Sequence, residues 1–460
     1  MRTRIKYHFV GAVLLFASAC AAGGEQNNSE SALFKLSFDP AISQKAVVDL
    51  ITDARKTIDV SLYGFENDEV AKALIEAHQR RGIKIRMSTE YDSEPLSGYQ
   101  KVILAGIPVR LGNDSGIQHN KYFIVDKKYV VTGSTNLTGT PPPSSSVSGM
   151  WAHFNNMVVL KSEGLASEFQ KDFNIQFEAG KYSSAKDAEY SARYGAGFWP
   201  ETQYDVGSLK INAYFTPYQN TFASYQTRYP GDPDCPTSFV SSASCLDVTS
   251  TTTLDAACAN VACLQNYCYD VANTRTIHRH FNADSGAHQC KGASASYNDY
   301  RSALNLVIQL LRGAKKSVTC LFFAFTDRVI MNELKNAKAR GLDVKIYMDY
   351  NQYRSQYRNS GKSFIDLRNN VGHVKLVRRA NSGLNHHKVF YVDGETIVLG
   401  SMNYSAAAVT SNDENFLLIR NARSLIHDFN QEVARVDEQS FYLPPTEDDG
   451  SYISNTDNTD

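Results

Sequence analysis

"ARKTIDVSLYGFENDEVAKALIEAHQRRGIKIRM", residues 54–87, returns as "AKKSVTCLFFAFTDRVIMNELKNAKARGLDVKIYM", residues 314–348. Each copy opens on a basic pair (Arg55-Lys56, Lys315-Lys316) that ends a preceding helix. A buried strand follows, then an amphipathic helix stopped at Arg-Gly, then a second strand. Two strands joined through a helix make a β-α-β unit, whose strands are parallel and whose sheet is covered by helices. Its recurrence predicts an α/β fold of two pseudo-symmetric α-β-α lobes, spanning 33–180 and 297–445.

Residues 181–296 separate the lobes and are far too long for a connection. This stretch is rich in Tyr, Ser, Thr and Cys, and reads as an inserted subdomain lying over one face. Of the eight cysteines, Cys235, Cys245, Cys258, Cys263, Cys268 and Cys290 fall here, an even set that suits disulfides in an exported protein. A zinc site with His278, His280 and His288 is the rival, weakened by the lack of any C-x-x-C pair. Cys320, inside "VTCLFFAF", reads as a core thiol.

Export is expected from residues 1–20. Arg2, Arg4 and Lys6 precede the apolar "GAVLLFASA", and small residues lead to Cys20. Ala17-Ser18-Ala19 suits an ordinary signal-peptidase site, while Cys20 in the same context suits a lipobox and a lipid anchor. The chain is therefore expected in the cell envelope or secreted. Residues 21–32 read as a flexible tether and 446–460 as a disordered acidic tail. Over all 460 residues the hydrophobic content is 42%, the charged content 21% and the formal net charge −1. No global field draws such a protein to nucleic acid or anionic membrane, so any attraction to phosphate must be local.

Each repeat is followed by a second shared segment, "GIQHNKYFIVDKKYVVTGSTN" (116–136) and "GLNHHKVFYVDGETIVLGSMN" (383–403). Apolar runs on both sides of Asp126 and of Asp393-Gly394 predict hairpins. A two-residue loop would set Lys121 opposite Ser134 and His119 opposite Asn136. In the second copy it would set Lys388 opposite Ser401 and His386 opposite Asn403. Alternation then gathers imidazole, ammonium, hydroxyl and amide on one face, and turns Asp126 and Asp393 away as structural residues. Such a patch suits a phosphodiester. The ammonium and polar donors hold non-bridging oxygens, and the imidazole attacks phosphorus or protonates a leaving oxygen. Two patches supply both roles, and the chemistry calls for no metal or cofactor.

Both segments fit H-x-K-x(4)-D-x(6)-G-S-x-N, and with the β-α-β repeats the chain resembles the phospholipase D superfamily over about 300 residues. The resemblance implies a phosphodiester hydrolase acting through a phosphohistidine, with His119, Lys121, His386 and Lys388 meeting at one site. It places His386, rather than His387, in the first motif position. It also implies a carboxylate behind the catalytic histidine on a following strand. Glu414 in "NDENFLLI" matches, and Asn155 in "NNMVVL" stands at the corresponding place of the first half. With Glu414 expected behind His386 and Asn155 behind His119, the carboxylate-backed ring suits the acid and the amide-backed ring the nucleophile. His119 is accordingly expected to attack and His386 to protonate the leaving group.

Substrate class is less legible. The stretch from Lys338 to Arg379 is basic, and "NQYRSQYRNSGKSF" interleaves Tyr with Arg, as a nucleic-acid surface would. "TEYDSEPLSGYQ" at the matching place of the first half is acidic instead. An exported position and a possible anchor favour phospholipid, with a metal-independent endonuclease as the alternative. A binding-only relative has no need of two intact His-Lys pairs. An internally duplicated site predicts a monomer.

Overall fold

The computed structural model describes residues 33–112, 116–179, 202–216, 303–379, 383–405, 407–408 and 412–443. The export signal with Cys20, the tether, the clustered cysteines and the acidic tail lie outside the described residues.

The first lobe runs β1 (Phe34–Ser37), α1 (Pro40–Asp53), β2 (Thr57–Leu62), α2 (Asp68–Arg81), β3 (Lys84–Thr89), α3 (Ser97–Leu104) and β4 (Val109–Leu111). It continues through β5 (Lys121–Val125), β6 (Tyr129–Gly133), β7 (Met157–Lys161) and α4 (Glu163–Ala179). After β8 (Tyr204–Val206) and β9 (Leu209–Thr216), the second lobe repeats the plan. Its elements are α5 (Ala303–Gly313), β10 (Ser317–Phe322), α6 (Arg328–Ala339), β11 (Asp343–Asp349), α7 (Tyr350–Val371), β12 (Val374–Val377), β13 (Lys388–Val392), β14 (Thr396–Gly400), β15 (Glu414–Arg420), α8 (Ile426–Asp437) and β16 (Ser440–Tyr442).

Both β-α-β units are present, with β2 parallel to β3 and β10 parallel to β11. Local chemistry sets their limits. Asn67 caps α2 by accepting the Val70 N–H, and Gly82 ends it at φ 66°, a left-handed conformation that favours glycine. Asp327 caps α6 in the equivalent place. The sheets share a strand order, β4-β3-β2-β5-β6-β7 in one and β12-β11-β10-β13-β14-β15 in the other. Helix α4 packs between them, Phe169 meeting Phe215 of β9 at 5.0 Å. One apolar core therefore runs from Tyr122 and Val158 of the first sheet into the second lobe.

Two expectations are corrected. Residues 204–216, assigned from sequence to the insertion, form β8 and β9, and β9 extends the second sheet by pairing along the whole of β15. Strand β9 lies between β15 and β8 and is buried at seven of its eight positions. The hairpin loops are also one residue longer than expected, with Val125 paired to Tyr129 and Val392 to Thr396 across three-residue loops. Asp126 and Asp393 are turned out of the ladder at φ 52° and 55°. Lys121 and Lys388 therefore do not lie opposite Ser134 and Ser401. Cys320 is fully buried in the core.

Candidate active site

The lobes clasp each other through the strands that carry the shared motifs. His119 N–H donates to the Asp413 carbonyl and Asp413 N–H to the Ile117 carbonyl, both at 2.9 Å. The mirrored pair is His386 N–H to the Phe154 carbonyl at 2.9 Å and Phe154 N–H to the Leu384 carbonyl at 2.8 Å. Each histidine thus enters the site on a segment bonded to the other lobe.

That clasp decides the partners of the rings. Nδ1 of His119 lies 2.8 Å from the Glu414 carboxylate, and Nδ1 of His386 lies 3.0 Å from Oδ1 of Asn155. The sequence-based pairing is therefore inverted: the carboxylate serves the first-lobe ring and the amide the second-lobe ring. Neighbouring copies on a pseudo-two-fold axis exchange these side chains because β7 and β15 each face the opposite hairpin. A carboxylate only accepts, so the His119 proton sits on Nδ1 and the Nε2 lone pair is free. Asn155 Oδ1 also accepts from Ser134 Oγ at 3.1 Å, which orients the amide to receive the His386 Nδ1–H.

Ser134 and Ser401, expected among the phosphate-holding groups, are spent one layer back. Ser401 Oγ donates to Glu414 at 2.7 Å and accepts the Asn415 N–H at 2.9 Å. Ser134 Oγ likewise accepts the Asn156 N–H at 3.0 Å. A side chain at Gly133 would stand 2.3 Å from the Asn156 carbonyl, and at Gly400 2.3 Å from the Asn415 carbonyl. Gly133 also adopts φ 150°, and these two close approaches bring the serines to the partner strand. Asn136 and Asn403 are half-buried, and among the described residues no group pairs with Oδ1 of either.

Lys121 Nζ donates to the His119 carbonyl at 2.6 Å and Lys388 Nζ to the His386 carbonyl at 2.9 Å. Both ammoniums are buried, and each rests over an aromatic ring, Lys121 at 5.2 Å from Tyr63 and Lys388 at 4.8 Å from Phe323. Burial pushes Lys121 down to about 7 against the opposing pull of Glu414, and burial with Lys121 nearby lowers Lys388 well below its usual range. Burial lowers His119 to about 4 although Glu414 pulls upward, and burial with Lys388 lowers His386 well below the usual histidine range. Each lysine depresses the other lobe's imidazole, so the four groups share one site. An anion among these groups would favour their protonated forms.

The motif aspartates sit at the far end of their strands. Asp126 accepts the N–H groups of Arg55, Lys56 and Thr57, and Asp393 those of Lys315, Lys316 and Ser317. His387 is buried, bonded to Glu432 at 2.7 Å and to Asn156 at 3.0 Å.

Sequence reasoning missed three further pairs that superposing the two halves would have shown. Tyr63 and Phe323 follow β2 and β10 and flank His119 and His386 at 5.1 and 4.7 Å. Glu90 follows β3 and Asp349 ends β11, and they accept the N–H of Gln118 and Asn385, at 2.5 and 2.8 Å. Burial raises both carboxyls, Asp349 to about 6. His153 and Asn412 form the third pair.

The sequence profile of the family described as "Cardiolipin synthase, PLD-like domain" matches residues 47–176 and again 307–436, one match in each lobe. The chain belongs to the phospholipase D superfamily. Among curated relatives, the mitochondrial cardiolipin hydrolase of Mus musculus is 31% identical over 135 residues, 28% of this chain and 57% of that protein. The phospholipase D of Rickettsia prowazekii is 31% identical over 136 residues, 29% of this chain and 62% of that protein. The chain thus aligns with less than two thirds of either relative. Phosphatidylserine synthase of Haemophilus influenzae shares the two-lobed fold at a TM-score of 0.57 and 12% identity, covering 91% of this chain and 88% of the other.

Proposed function

We propose that this protein is a phosphodiester hydrolase working through a phosphohistidine, and that its substrate is a phospholipid. The observation that carries the reading is the pair of imidazoles with Nδ1 anchored and no partner for Nε2 among the described residues, set among two buried ammoniums. His119 attacks phosphorus through Nε2. Its ring becomes cationic as the P–N bond forms, and the Glu414 carboxylate offsets that charge, as a carboxylate does for any imidazolium formed in mid-reaction. The expected roles are therefore retained on a different ground from the one the sequence suggested. Protonated His386, lacking a carboxylate, is the stronger acid and gives its Nε2 proton to the leaving oxygen. The anionic diester supplies the charge that keeps this ring protonated before that step. In the second half-reaction His386 takes a proton from water, which attacks phosphorus and releases His119. Lys121 and Lys388 hold the non-bridging oxygens.

Two features favour lipid over nucleic acid. Part of the basic stretch is occupied elsewhere: Lys345 pairs with Asp343, Lys375 with Asp437, and Arg340 donates to the Leu311 carbonyl. Tyr91 and Ile117, which neighbour Glu90 and Gln118, are instead exposed at 53% and 39%. They offer an apolar rim beside the first lobe's wall. The names of the Mus and Rickettsia relatives point the same way. A nucleic-acid substrate is the second reading, supported by Arg354 and Arg378 stacked on Tyr350 near the end of β11.

Purified protein in EDTA, given phosphatidylcholine, cardiolipin and plasmid DNA in parallel, tests the choice. Hydrolysis of lipid alone supports the reading, whereas nicking of DNA alone replaces it. Export and anchoring through Cys20 belong to the same proposal; labelled palmitate incorporated by the wild type and lost in Cys20→Ser is the expected result.

A further inference from the structure

His153 stands next to the second-lobe histidine and belongs to neither shared motif. Its ring centroid lies 5.8 Å from that of His386 with the planes tilted by 38°. The backbone holds it there, since its N–H donates to the Gly149 carbonyl at 3.1 Å and its Nδ1 accepts the Leu384 N–H at 3.1 Å. Gly383 permits this closeness, because a side chain there would stand 2.4 Å from the Ala152 carbonyl.

The contact with Leu384 fixes the tautomer. A ring nitrogen that accepts a hydrogen bond carries its lone pair there, so the proton of neutral His153 is on Nε2. No protein acceptor takes that proton among the described residues. Burial, with Arg379 and Lys388 nearby, lowers this histidine to about 4, so near neutral pH it is a single, uncharged donor.

The pseudo-symmetric partner shows what a merely structural role requires. Asn412 Oδ1 accepts the Ile117 N–H at 3.2 Å, as His153 accepts that of Leu384. An amide is therefore enough to clamp the segment that leads into a catalytic histidine. Asn412 then turns its Nδ2 toward Glu414, at 3.5 Å, supporting the carboxylate of the attacking ring. In the acid half the clamp is an imidazole, whose second nitrogen is left over. The other ring beside His386, Phe323, has no hydrogen-bonding group to offer.

We propose that His153 is a further catalytic residue, whose Nε2–H hydrogen-bonds the oxygen leaving phosphorus beside His386 and later the oxygen that enters there. The inference rests on His386 acting as the acid. As the P–O bond breaks, its electron pair stays on the departing oxygen and the proton comes from His386 Nε2. His153 keeps its own proton, and its donor lowers the charge on the oxygen until that transfer is complete.

Leaving-group dependence reads this out. A p-nitrophenyl diester expels an anion that needs no protonation, whereas an alkyl diester such as a phospholipid does. In His153→Asn the amide keeps the clamp, as Asn412 does, but is too short and too tightly tied to Leu384 to reach the departing oxygen. We expect the single-turnover rate of leaving-group release to fall roughly 100-fold on the alkyl substrate, the lower end of what one lost oxyanion donor costs, and to change less than about threefold on the p-nitrophenyl one. His386→Asn, assayed alongside, should show the same contrast more strongly. An unchanged single-turnover release rate in His153→Asn, or equal losses of that rate on both substrates, overturns the role of His153 if His386→Asn still discriminates. Equal losses in His386→Asn remove the acid assignment and this inference together.

Discussion

Glu414→Gln isolates the charge behind the attacking ring. Gln can still accept the His119 Nδ1–H, so tautomer and orientation are kept and only the negative charge is lost. Oε2 of Glu414 stands 2.8 Å from Nδ1, and both side chains are buried. With charge centres about 4 Å apart and an effective permittivity of about 20, a cation on the ring gains about 4 kcal/mol from the carboxylate. A neutral hydrogen bond retains about 1 kcal/mol of that. The difference, about 3 kcal/mol, is roughly a hundredfold in kcat. Because the charge assists attack rather than departure, p-nitrophenyl and alkyl diesters should lose equally. Steady-state kcat on both, with a melting curve to show the variant folded, is the measurement. A kcat within threefold of wild type would refute the idea that Glu414 balances a cation on His119.

Asn155→Asp is expected to do the converse: a carboxylate behind His386 makes it a weaker acid, so turnover falls on alkyl diesters and hardly changes on p-nitrophenyl ones. For Lys121, folding depresses the pKa to about 7 from an unfolded value of about 10.4, so the unfolded chain binds more protons between these limits and stability rises with pH across that window. Phosphate bound at the site should raise this pKa, so calorimetric titration near pH 8 in buffers of different ionisation enthalpy should show proton uptake; none is expected if Lys121 does not meet the anion. Asp126→Ala removes the acceptor of three backbone N–H groups at a half-buried corner, and about 2 kcal/mol of stability should go in denaturant titrations while kcat holds. Gly133→Ala forces a methyl against the Asn156 carbonyl and should abolish folding or cost more than about 3 kcal/mol, whereas Thr132→Ser nearby should be mild.

The β-α-β repeats and the two His-Lys pairs were legible because their signals are local: strand and helix periodicity, caps, and a motif read twice. What escaped was set by contacts distant in sequence. Glu414 and His119 lie 295 residues apart, and nothing in either segment shows that β15 faces the opposite hairpin. The one-residue error in register arose because Asp126 and Asp393 leave the ladder to bind the N–H groups that open β2 and β10, contacts invisible to strand alternation. The serines were read as facing substrate because alternation was carried through Gly133 and Gly400, where the backbone departs from it. Residues 204–216 were absorbed into the insertion by composition, although the apolar Leu209, Ile211, Ala213, Tyr214 and Phe215 suited a buried strand.

The exchange of Glu414 and Asn155 across the pseudo-axis bears on ancestry as well as chemistry. Two identical subunits related by a true dyad would have to give both rings the same companion, and any substitution would alter both at once. Fusion into one polypeptide lifts that restriction, so either companion can drift alone and each imidazole can specialise. The present sequence carries that freedom twice, in a carboxylate set against an amide and in a histidine set against an asparagine.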